Sequence, residues 1–465
     1  MAPQMSKEQT QAESIKVKAP AQAAGAEEAA TKVAEEKKNK QKTVVIKVGT
    51  SSLLRKGHLH LSLLGTLAET CADLTRSGIK VIVVTSGAIG AGCQVLGTTE
   101  KPTDLAGKQA MAAVGMVRLM RMYDDFFTSV SQPIAQVLVS LDNLMERQQY
   151  LNAQRTFQAL LARDVIPIVN ENDTVAVQDT KFGDNDTLSA HIAALADADY
   201  LFLLTDVDGL YTGNPSTDPD AVIIPLVENI EDLDVDTKAA GSKWGTGGMA
   251  TKIEAARMAT ASGCHTVVMH SNQLSVLHDV VVNGASYGTL FLAVPRPLGG
   301  RKRWILLIPA NGDIVVNKRA ETALNNDKNL SGFHIVSVTG EFAADECVRL
   351  LVQEEDGGEP REFGRAIVNY ASKDCQKLSG TQNANEFFDI VGYSGPESVA
   401  HRNNICLWMP HGEEPNLDLH PEIDMATHPS AANLEDLDDM RVSTRSPALN
   451  GSGGSGNGNG SSKAH

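Results

Sequence analysis

Residues 44–52 read Val44-Val45-Ile46-Lys47-Val48-Gly49-Thr50-Ser51-Ser52. The β-branched residues on both sides of Lys47 predict a buried strand, which ends where the sequence changes to glycine and hydroxyl residues. A lysine in a central strand is rarely buried unless it is paired, and Gly49 would let backbone N–H groups approach an anion. The stretch therefore predicts a phosphate site at the end of a strand. The alternative is an edge-strand lysine followed by an ordinary turn.

The same change from an apolar run to a polar loop recurs further along the chain. The later polar loops, each behind an apolar run, are Ser86-Gly87, Asn170-Glu171-Asn172-Asp173 and Thr205-Asp206. A segment with helical periodicity, residues 63–74, lies between the apolar runs at residues 44–48 and 80–85. This order predicts parallel strands joined by a crossover helix. Because the loops after parallel strands lie at the same edge of a sheet, we expect them to line one crevice.

Two further polar segments precede predicted helices. Gly183-Asp184-Asn185-Asp186 comes before a helix rich in alanine and leucine, where Asn and Asp are good caps, and a simple capping turn is the alternative. Residues 245–252, Gly-Thr-Gly-Gly-Met-Ala-Thr-Lys, open a second helix, whose positive end attracts anions. The spacing does not match the P-loop, and no G-x-G-x-x-G is present, so both common nucleotide fingerprints are absent.

The composition changes near residue 300. Short β-rich runs are then separated by turn residues, and they lie at residues 304–308, 313–316, 335–339, 348–352 and 366–370. These runs predict a small β-rich domain over residues 299–410, which follows a first domain over residues 42–298 in the chain.

The two ends of the chain differ in composition from the domains. Residues 1–41 contain almost no aromatic or branched side chains, and residues 411–465 are acidic and then rich in Gly, Ser and Asn. Such composition predicts disordered tails, because it cannot bury enough apolar surface. A mitochondrial presequence is the alternative at the N-terminus, but its several glutamates are unlike acid-poor transit peptides.

Overall composition narrows the functional class. The 465 residues are 42% hydrophobic and 21% charged, as is ordinary for a soluble globular protein. A formal net charge of −16 argues against general binding to nucleic-acid phosphates. The six cysteines form no C-x-x-C pair, and neither a long apolar run nor a secretory signal occurs, so we expect a cytoplasmic protein with no membrane association.

Five segments, taken in order, resemble the amino acid kinase family. They are Ile46-Lys47-Val48-Gly49-Thr50-Ser51, Val84-Thr85-Ser86-Gly87-Ala88-Ile89, Val169-Asn170-Glu171-Asn172-Asp173, Gly183-Asp184-Asn185-Asp186 and Gly247-Gly248-Met249-Ala250-Thr251-Lys252. The resemblance covers about residues 42–409 and is to members that phosphorylate the side-chain carboxylate of glutamate. It implies an α/β fold in which helices sandwich a mainly parallel sheet, followed by a PUA-like domain.

The resemblance also implies roles for individual residues. Lys47 and Lys252 would hold the transferring phosphoryl group, and Asp186 would orient both lysines. The residues implied for glutamate binding are Ser86, Gly87, Asn170, Asp173 and Asn185. Those implied for nucleotide binding are Lys47, Gly49, Thr205, Asp206, Thr246, Gly247, Gly248, Met249 and Lys252. The implied cofactors are ATP and Mg²⁺, with the metal held largely by phosphates and waters, so no residue is assigned to it.

This chemistry agrees with the residue types found. A glutamate carboxylate is ionised at pH 7 and needs no general base, and none of the twelve histidines lies in a nucleophile–base motif. The acyl phosphate product would need a reductase, and we expect that enzyme to be a separate chain. The resemblance further implies the first step of proline biosynthesis and inhibition by proline.

Three questions remain open at this level. Another member of the family could act on N-acetylglutamate or aspartate. PUA domains elsewhere bind structured RNA, and Arg301-Lys302-Arg303 forms a basic cluster, although a solvated domain junction is the alternative. The predicted helices over about residues 105–127 and 142–162 carry more apolar residues than one sheet face needs, which favours a homo-oligomer.

Overall fold

The structure, a computed structural model, describes residues 41–55, 58–98, 100–175, 185–215, 218, 220–230, 233, 248–294, 300–353 and 360–408. Gly183, Asp184, Thr246, Gly247 and both predicted tails, apart from residue 41, lie outside these residues, as does the predicted domain boundary at residues 298 and 299. Among the described residues, no helix combines the length and the apolar character needed to cross a membrane.

The first part of the chain is built on a large sheet. The strands in this part of the chain are β1 (Thr43–Val48), β2 (Leu54–Arg55), β3 (His58–Leu59), β4 (Lys80–Thr85), β5 (Ile134–Val139), β6 (Ile166–Glu171), β7 (Tyr200–Thr205), β8 (Leu210–Tyr211), β9 (Ile223–Ile224), β10 (Leu226–Val227), β11 (His265–His270) and β12 (Thr289–Phe291). Strands β2 and β3 form one short antiparallel pair, and β8 and β9 form another. Eight of these form one sheet in the order β10-β12-β11-β7-β1-β4-β6-β5. Strand β1 pairs in parallel with both β4 and β7, so Lys47 lies on an interior strand and not at an edge.

Helices cover both faces of this sheet. They are α1 (Thr50–Leu53), α2 (Leu61–Arg76), α3 (Ala88–Leu96), α4 (Leu105–Ser129), α5 (Leu141–Met145), α6 (Arg147–Leu161), α7 (Asn185–Ala196), α8 (Met249–Ala261) and α9 (Leu277–Asn283), with a 3-10 helix at Ser271–Val276. One buried cluster joins Ile46 to side chains of α2 and α4, and another joins Val45 to side chains of α7 and α8. The predicted helix–sheet–helix fold is confirmed.

One predicted helix is interrupted. Instead of running continuously over residues 142–162, the chain forms α5 and then α6, with Glu146 extended between them. The Glu146 carboxylate accepts hydrogen bonds from the backbone nitrogens of Gln148 and Gln149, both at 2.9 Å. Glu146 therefore caps the second helix, because its side chain satisfies N–H groups that lack an intrahelical acceptor.

The second part of the chain is a smaller mixed sheet with short helices. Its elements are α10 (Gly300–Leu307), β13 (Gly312–Val316), α11 (Lys318–Asn325), β14 (Ile335–Gly340), β15 (Cys347–Val352), β16 (Arg361–Ile367), α12 (Ser372–Leu378), α13 (Phe387–Val391) and β17 (Ile405–Leu407), with 3-10 turns at Gly332–His334, Ala384–Glu386 and Arg402–Asn404. The strand order is β14-β13-β15-β16-β17. The predicted β-rich architecture is confirmed.

The strand predicted at residues 304–308 is wrong, because residues 304–307 belong to helix α10. The four residues Trp304, Ile305, Leu306 and Leu307 are all buried, so the alternation that distinguishes a half-buried strand is missing from the sequence. Trp304 donates from Nε1 to the carbonyl oxygen of Leu144 at 3.2 Å. From the other side, Arg365 donates to the carbonyl oxygen of Leu306 at 2.7 Å. Helix α10 is thus packed between the two parts of the chain.

Candidate active site

Three buried charged residues meet at the end of β1. The side chains of Lys47 and Lys252 contact different oxygens of the Asp186 carboxylate, and Lys252 Nζ lies 3.1 Å from Oδ2. Thr251 Oγ1 also donates to Oδ2, at 3.0 Å. Lys47, Asp186 and Lys252 are 6%, 0% and 7% exposed. Buried charges must be paired, and here one carboxylate holds two ammonium groups.

Local structure explains how these residues meet. Successive side chains in a strand point to opposite faces, so Lys47 shares a face with Val45, against which α7 and α8 pack. Asp186 lies in the first turn of α7, and Lys252 lies in the first turn of α8. Packing of these two helices on one face of the sheet therefore places their N-terminal ends beside the Lys47 side chain.

The electrostatic balance keeps Asp186 ionised. Burial acts to raise the pKa of this carboxyl, but the charges and hydrogen bonds of Lys47 and Lys252 outweigh burial and lower its pKa to about 2. With both lysines protonated, the three groups carry a net charge of about +1 in a site almost without solvent exposure. Such a centre attracts an anion.

Gly49 keeps space open beside this centre. A Cβ atom at this position would lie 3.4 Å from Lys47 Nζ and 3.9 Å from the carbonyl oxygen of Leu204. A side chain extending beyond that Cβ would crowd the ammonium group on which an incoming phosphate depends.

A polar pocket adjoins the loops that follow β1, β4 and β6. It is lined by Thr50, Ser86, Gly87, Ala88, Ile89, Gly90, Lys101, Asn170, Glu171, Asp173 and Asn185. All five residues that the family resemblance implies for glutamate binding line this pocket. The structure therefore brings these residues together, as expected for loops at one edge of a parallel sheet.

An amide pair forms the floor of the pocket. Asn185 Nδ2 donates to Asn170 Oδ1 at 2.7 Å and also to the carbonyl oxygen of Thr85. Asn170 Oδ1 accepts a second bond from the backbone nitrogen of Glu171 at 2.9 Å. Asn170 Nδ2 is buried and has no hydrogen-bond partner among the described residues. An unpaired buried donor is costly, so this atom indicates a ligand that carries an acceptor.

Asp173 supplies an acidic group at the pocket. Burial raises the pKa of its carboxyl to about 6, although the positive charge of Lys101 opposes the shift. Within the described parts of the chain, the Asp173 carboxylate has neither a hydrogen bond nor an ion pair. A cationic group of a ligand would relieve the cost of burying this carboxylate.

The predicted nucleotide residues that the structure describes lie at two neighbouring places. Thr205 ends β7, and its hydroxyl donates to Asp206 Oδ1 at 3.1 Å. The pairing of Val48 with Leu204 places this end of β7 beside Gly49. Gly248 and Met249 begin α8, and no side chain caps this helix at Gly248. Backbone N–H groups at such a helix end are suited to bind phosphate. Thr246 and Gly247 lie outside the described residues.

Sequence reasoning missed several residues of this site, among them Thr251 and Lys101. Thr251 was visible as a hydroxyl beside Lys252 in the first turn of a helix, a position from which it reaches the same carboxylate. Lys101 lies in the loop between α3 and α4, and no local pattern marks it. Its place at the pocket follows from the packing of α3 against α4.

Sequence models of known families match both parts of the chain. The sequence model described as "Amino acid kinase family" matches residues 42–270, and that described as "PUA domain" matches residues 312–386. A glutamate 5-kinase from Synechocystis sp. is 49% identical over 372 residues, which cover 78% of this chain and 97% of that protein. A glutamate 5-kinase from Trichormus variabilis is 48% identical over 374 residues, which cover 79% of this chain and 99% of that protein.

The similarity of this chain to solved structures is weak. An X-ray structure of isopentenyl phosphate kinase covers 54% of this chain and 99% of its own, at 16% identity and a TM-score of 0.38, and this similarity is too weak to carry an argument. The sequence relatives are decisive, because near one-half identity extends over almost their whole length. The chain therefore belongs to the amino acid kinase family, carries a C-terminal PUA domain, and is similar over most of its length to glutamate 5-kinases.

Proposed function

We propose that this protein transfers the γ-phosphoryl group of ATP to the side-chain carboxylate of L-glutamate. One carboxylate oxygen forms a bond to phosphorus as the bond to the bridging oxygen breaks, which yields γ-glutamyl phosphate and ADP. The observation that carries this proposal is the buried Lys47–Asp186–Lys252 group beside a polar pocket. The glutamate 5-kinases among the sequence relatives support the same reaction.

The chain's own residues supply what this reaction requires. The glutamate carboxylate is already ionised near neutral pH, so no residue needs to remove a proton. The main obstacle is repulsion between this anion and the triphosphate, of the order of several kcal/mol at close range in a partly shielded site. Lys47 and Lys252 offset this repulsion and stabilise the charge on the transferring group, while Asp186 holds both ammonium groups in position.

The described residues also suit ATP. The uncapped N-terminus of α8 at Gly248 and Met249 faces phosphate oxygens with backbone N–H groups, and Lys252 lies in the same turn. Mg²⁺ bound with ATP would supply further charge compensation, and phosphates and waters would be its main ligands. Thr205 and Asp206 line the nucleotide at the end of the neighbouring strand.

The pocket favours free glutamate over the N-acetylated substrate. Asp173 is a half-buried carboxylate without an ionic partner among the described residues, and it can pair with the ammonium of a free amino acid. Acetylation would replace this cation by a neutral amide and leave the carboxylate unpaired, which is costly in a buried site.

The reaction is tested by the formation of acyl hydroxamate from ATP, glutamate and hydroxylamine. N-acetylglutamate and aspartate are supplied in parallel. We expect hydroxamate with glutamate and at least about tenfold less with either alternative, which corresponds to a difference of about 1.4 kcal/mol. Preferential product from N-acetylglutamate or aspartate would reassign the substrate.

The basic cluster at the domain junction is engaged in protein contacts. Arg303 donates to Asp197 Oδ1 at 2.8 Å, and Lys302 Nζ lies 3.4 Å from Asp327 Oδ1. The Arg301 guanidinium lies over the Trp304 ring at 5.9 Å. These contacts support a structural junction in preference to an RNA-binding surface. A filter-binding titration should accordingly show no steep dependence of RNA retention on salt.

The wider setting of the reaction follows from its product. An acyl phosphate hydrolyses readily, so a separate reductase would consume it in the cytoplasm. The two reactions would be the first two steps of proline biosynthesis. Proline would inhibit the first of them. We also propose a homo-oligomer formed through the kinase domain, because the segment over residues 105–162 leaves several large apolar side chains exposed, namely Leu105, Val117 and Leu138. Light scattering that shows a monomer near 49.6 kDa at working concentration would contradict the oligomer.

A further inference from the structure

The pocket beside the lysine pair is lined by groups of opposite charge. The positive groups are Lys101 and the N-terminal residues of α3, and the negative groups are Glu171 and Asp173. The head group of a free amino acid also carries opposite charges on adjacent groups, an ammonium and an α-carboxylate. The pocket therefore matches a zwitterion better than a simple anion.

The N-terminal end of α3 contributes partial positive charge to the lining of the pocket. Gly87 precedes this nine-residue helix with a φ of 95°, and no side chain caps the helix there. The backbone nitrogen of Ala91 donates to the carbonyl oxygen of Gly87 at 2.9 Å, so the N–H groups of the three residues before Ala91 have no intrahelical acceptor. These residues line the pocket with Lys101.

Lys101 is held in a short loop that is fixed at both ends. At the α3 end, the backbone nitrogen of Thr98 donates to the carbonyl oxygen of Cys93 at 2.9 Å. At the α4 end, the carboxylate of Asp104 accepts from the backbone nitrogen of Gly107 at 2.8 Å. Hydrogen bonds therefore hold both helix ends that flank Lys101, and Lys101 itself lines the pocket.

The Lys101 ammonium lacks a close anionic partner. Within the described residues its side chain makes no hydrogen bond and no ion pair. Burial and the charge of Lys108 lower its pKa, and the charge of Asp173 opposes them. An anionic ligand would stabilise the charged form of this lysine.

We propose that Lys101 binds the α-carboxylate of glutamate and, together with Asp173 in the same pocket, selects the head group of a free amino acid. This inference rests on the proposed function. The γ-carboxylate is the nucleophile and must face Lys47 and Lys252, neither of which lines the pocket. The cation that does line the pocket is therefore available to the other end of the substrate. Asn170 Nδ2, buried and unpaired among the described residues, provides a second donor there.

The inference is tested by calorimetric titration of the full chain with a non-hydrolysable ATP analogue and Mg²⁺ present. The ligands are glutamate and isoglutamine, in which the α-carboxylate is a neutral amide while the ammonium and the γ-carboxylate remain. We expect Lys101→Met to weaken glutamate binding about 10- to 100-fold, as for loss of a hydrogen bond to a charged group. Isoglutamine binding should change less than about threefold, because it has no α-carboxylate to lose.

Lys108→Met is the matched control. Lys108 is also a half-buried lysine near Lys101 but does not line the pocket, so glutamate binding should change less than about threefold. Lys101→Arg, which keeps the charge, should recover part of the affinity. Thermal unfolding of each variant checks the fold, and if Lys101→Met does not fold, Lys101→Gln is titrated with the same expectations.

The inference is overturned if Lys101→Met weakens both ligands equally, if it weakens neither, or if Lys108→Met is as damaging as Lys101→Met. Hydroxamate formation by the unaltered protein is measured in parallel. Glutamate binding without ATP-dependent product would defeat the proposed function and leave the binding comparison intact. Failure of the unaltered protein to bind glutamate would defeat both.

Discussion

Lys252 Nζ lies 3.1 Å from Asp186 Oδ2, although the two residues are 66 positions apart in the chain. Lys47 contacts the other oxygen of the same carboxylate from β1. The charged centre is therefore assembled from one strand and two helices, and each of its residues depends on the other two for compensation of a buried charge.

Removing either lysine should affect turnover more than binding. We expect Lys47→Met or Lys252→Met to lower kcat about 100-fold or more with little change in the glutamate KM, because the lost interaction is strongest in the transition state. Steady-state kinetics measures both constants. Lys80→Met is the matched control, since Lys80 begins β4 at the opposite end of the sheet. Near-normal kcat in Lys47→Met would move the phosphate site elsewhere.

Removing the shared carboxylate should destabilise the protein. Asp186→Asn leaves two buried ammonium groups without an anion, and we expect a loss of about 3–5 kcal/mol in the free energy of unfolding, measured by urea titration. Asp164→Asn is the control, because Asp164 forms an exposed ion pair with Lys80 at 2.7 Å and should cost about 1 kcal/mol or less. Equal losses in the two variants would contradict the structural role of Asp186.

The same carboxylate makes stability depend on acidity. The pKa of Asp186 in the folded protein is about 2, below the ordinary value of 3.8, so its contribution is fully present above pH 3.8 and is lost as the pH falls through 2. Linkage gives about 2 kcal/mol for this shift. Unfolding free energies measured between pH 5 and pH 2 should fall less steeply in Asp186→Asn than in the unaltered protein.

Glutamate binding should weaken in mild acid. Because the pKa of Asp173 is raised to about 6, its carboxylate is neutralised as the pH falls through this value and no longer attracts the substrate ammonium. Glutamate itself does not titrate appreciably between pH 5.5 and 7.5, because the ordinary pKa of its side chain is about 4. We expect the KM to rise below about pH 6. Asp173→Asn should raise the KM much more than it lowers kcat and should remove this pH dependence.

The tails should be dispensable for catalysis. Removal of residues 1–40 and 412–465 is expected to leave kcat and both KM values unchanged within about twofold, because the composition of these segments suits solvation and not packing. The comparison is made with the full chain under identical conditions. A truncated protein that folds and yet loses most of its turnover would contradict this expectation.

Local sequence patterns predicted most of the framework. The β-branched run around Lys47 forms a strand because such residues fit a pleated, buried surface. The side chains of Ser86, Asn170 and Asp173 meet because parallel strands end at one edge of the sheet. Local pattern failed at residues 304–308, where burial on all sides removes the alternation of a strand. It also failed at Glu146, whose capping side chain divides a predicted helix.

The sequence by itself determined which residue types end the strands, the order of the two domains and the chemical class of the first site. Tertiary structure alone decided that Lys47 and Lys252 share the two oxygens of Asp186, and that Lys101, from a loop without a recognisable motif, lines the same pocket as Asp173. The physical reason is the distance along the chain over which each effect acts. Strand and helix periodicity act over a few residues, whereas compensation of buried charge depends on how distant helices pack on a common sheet.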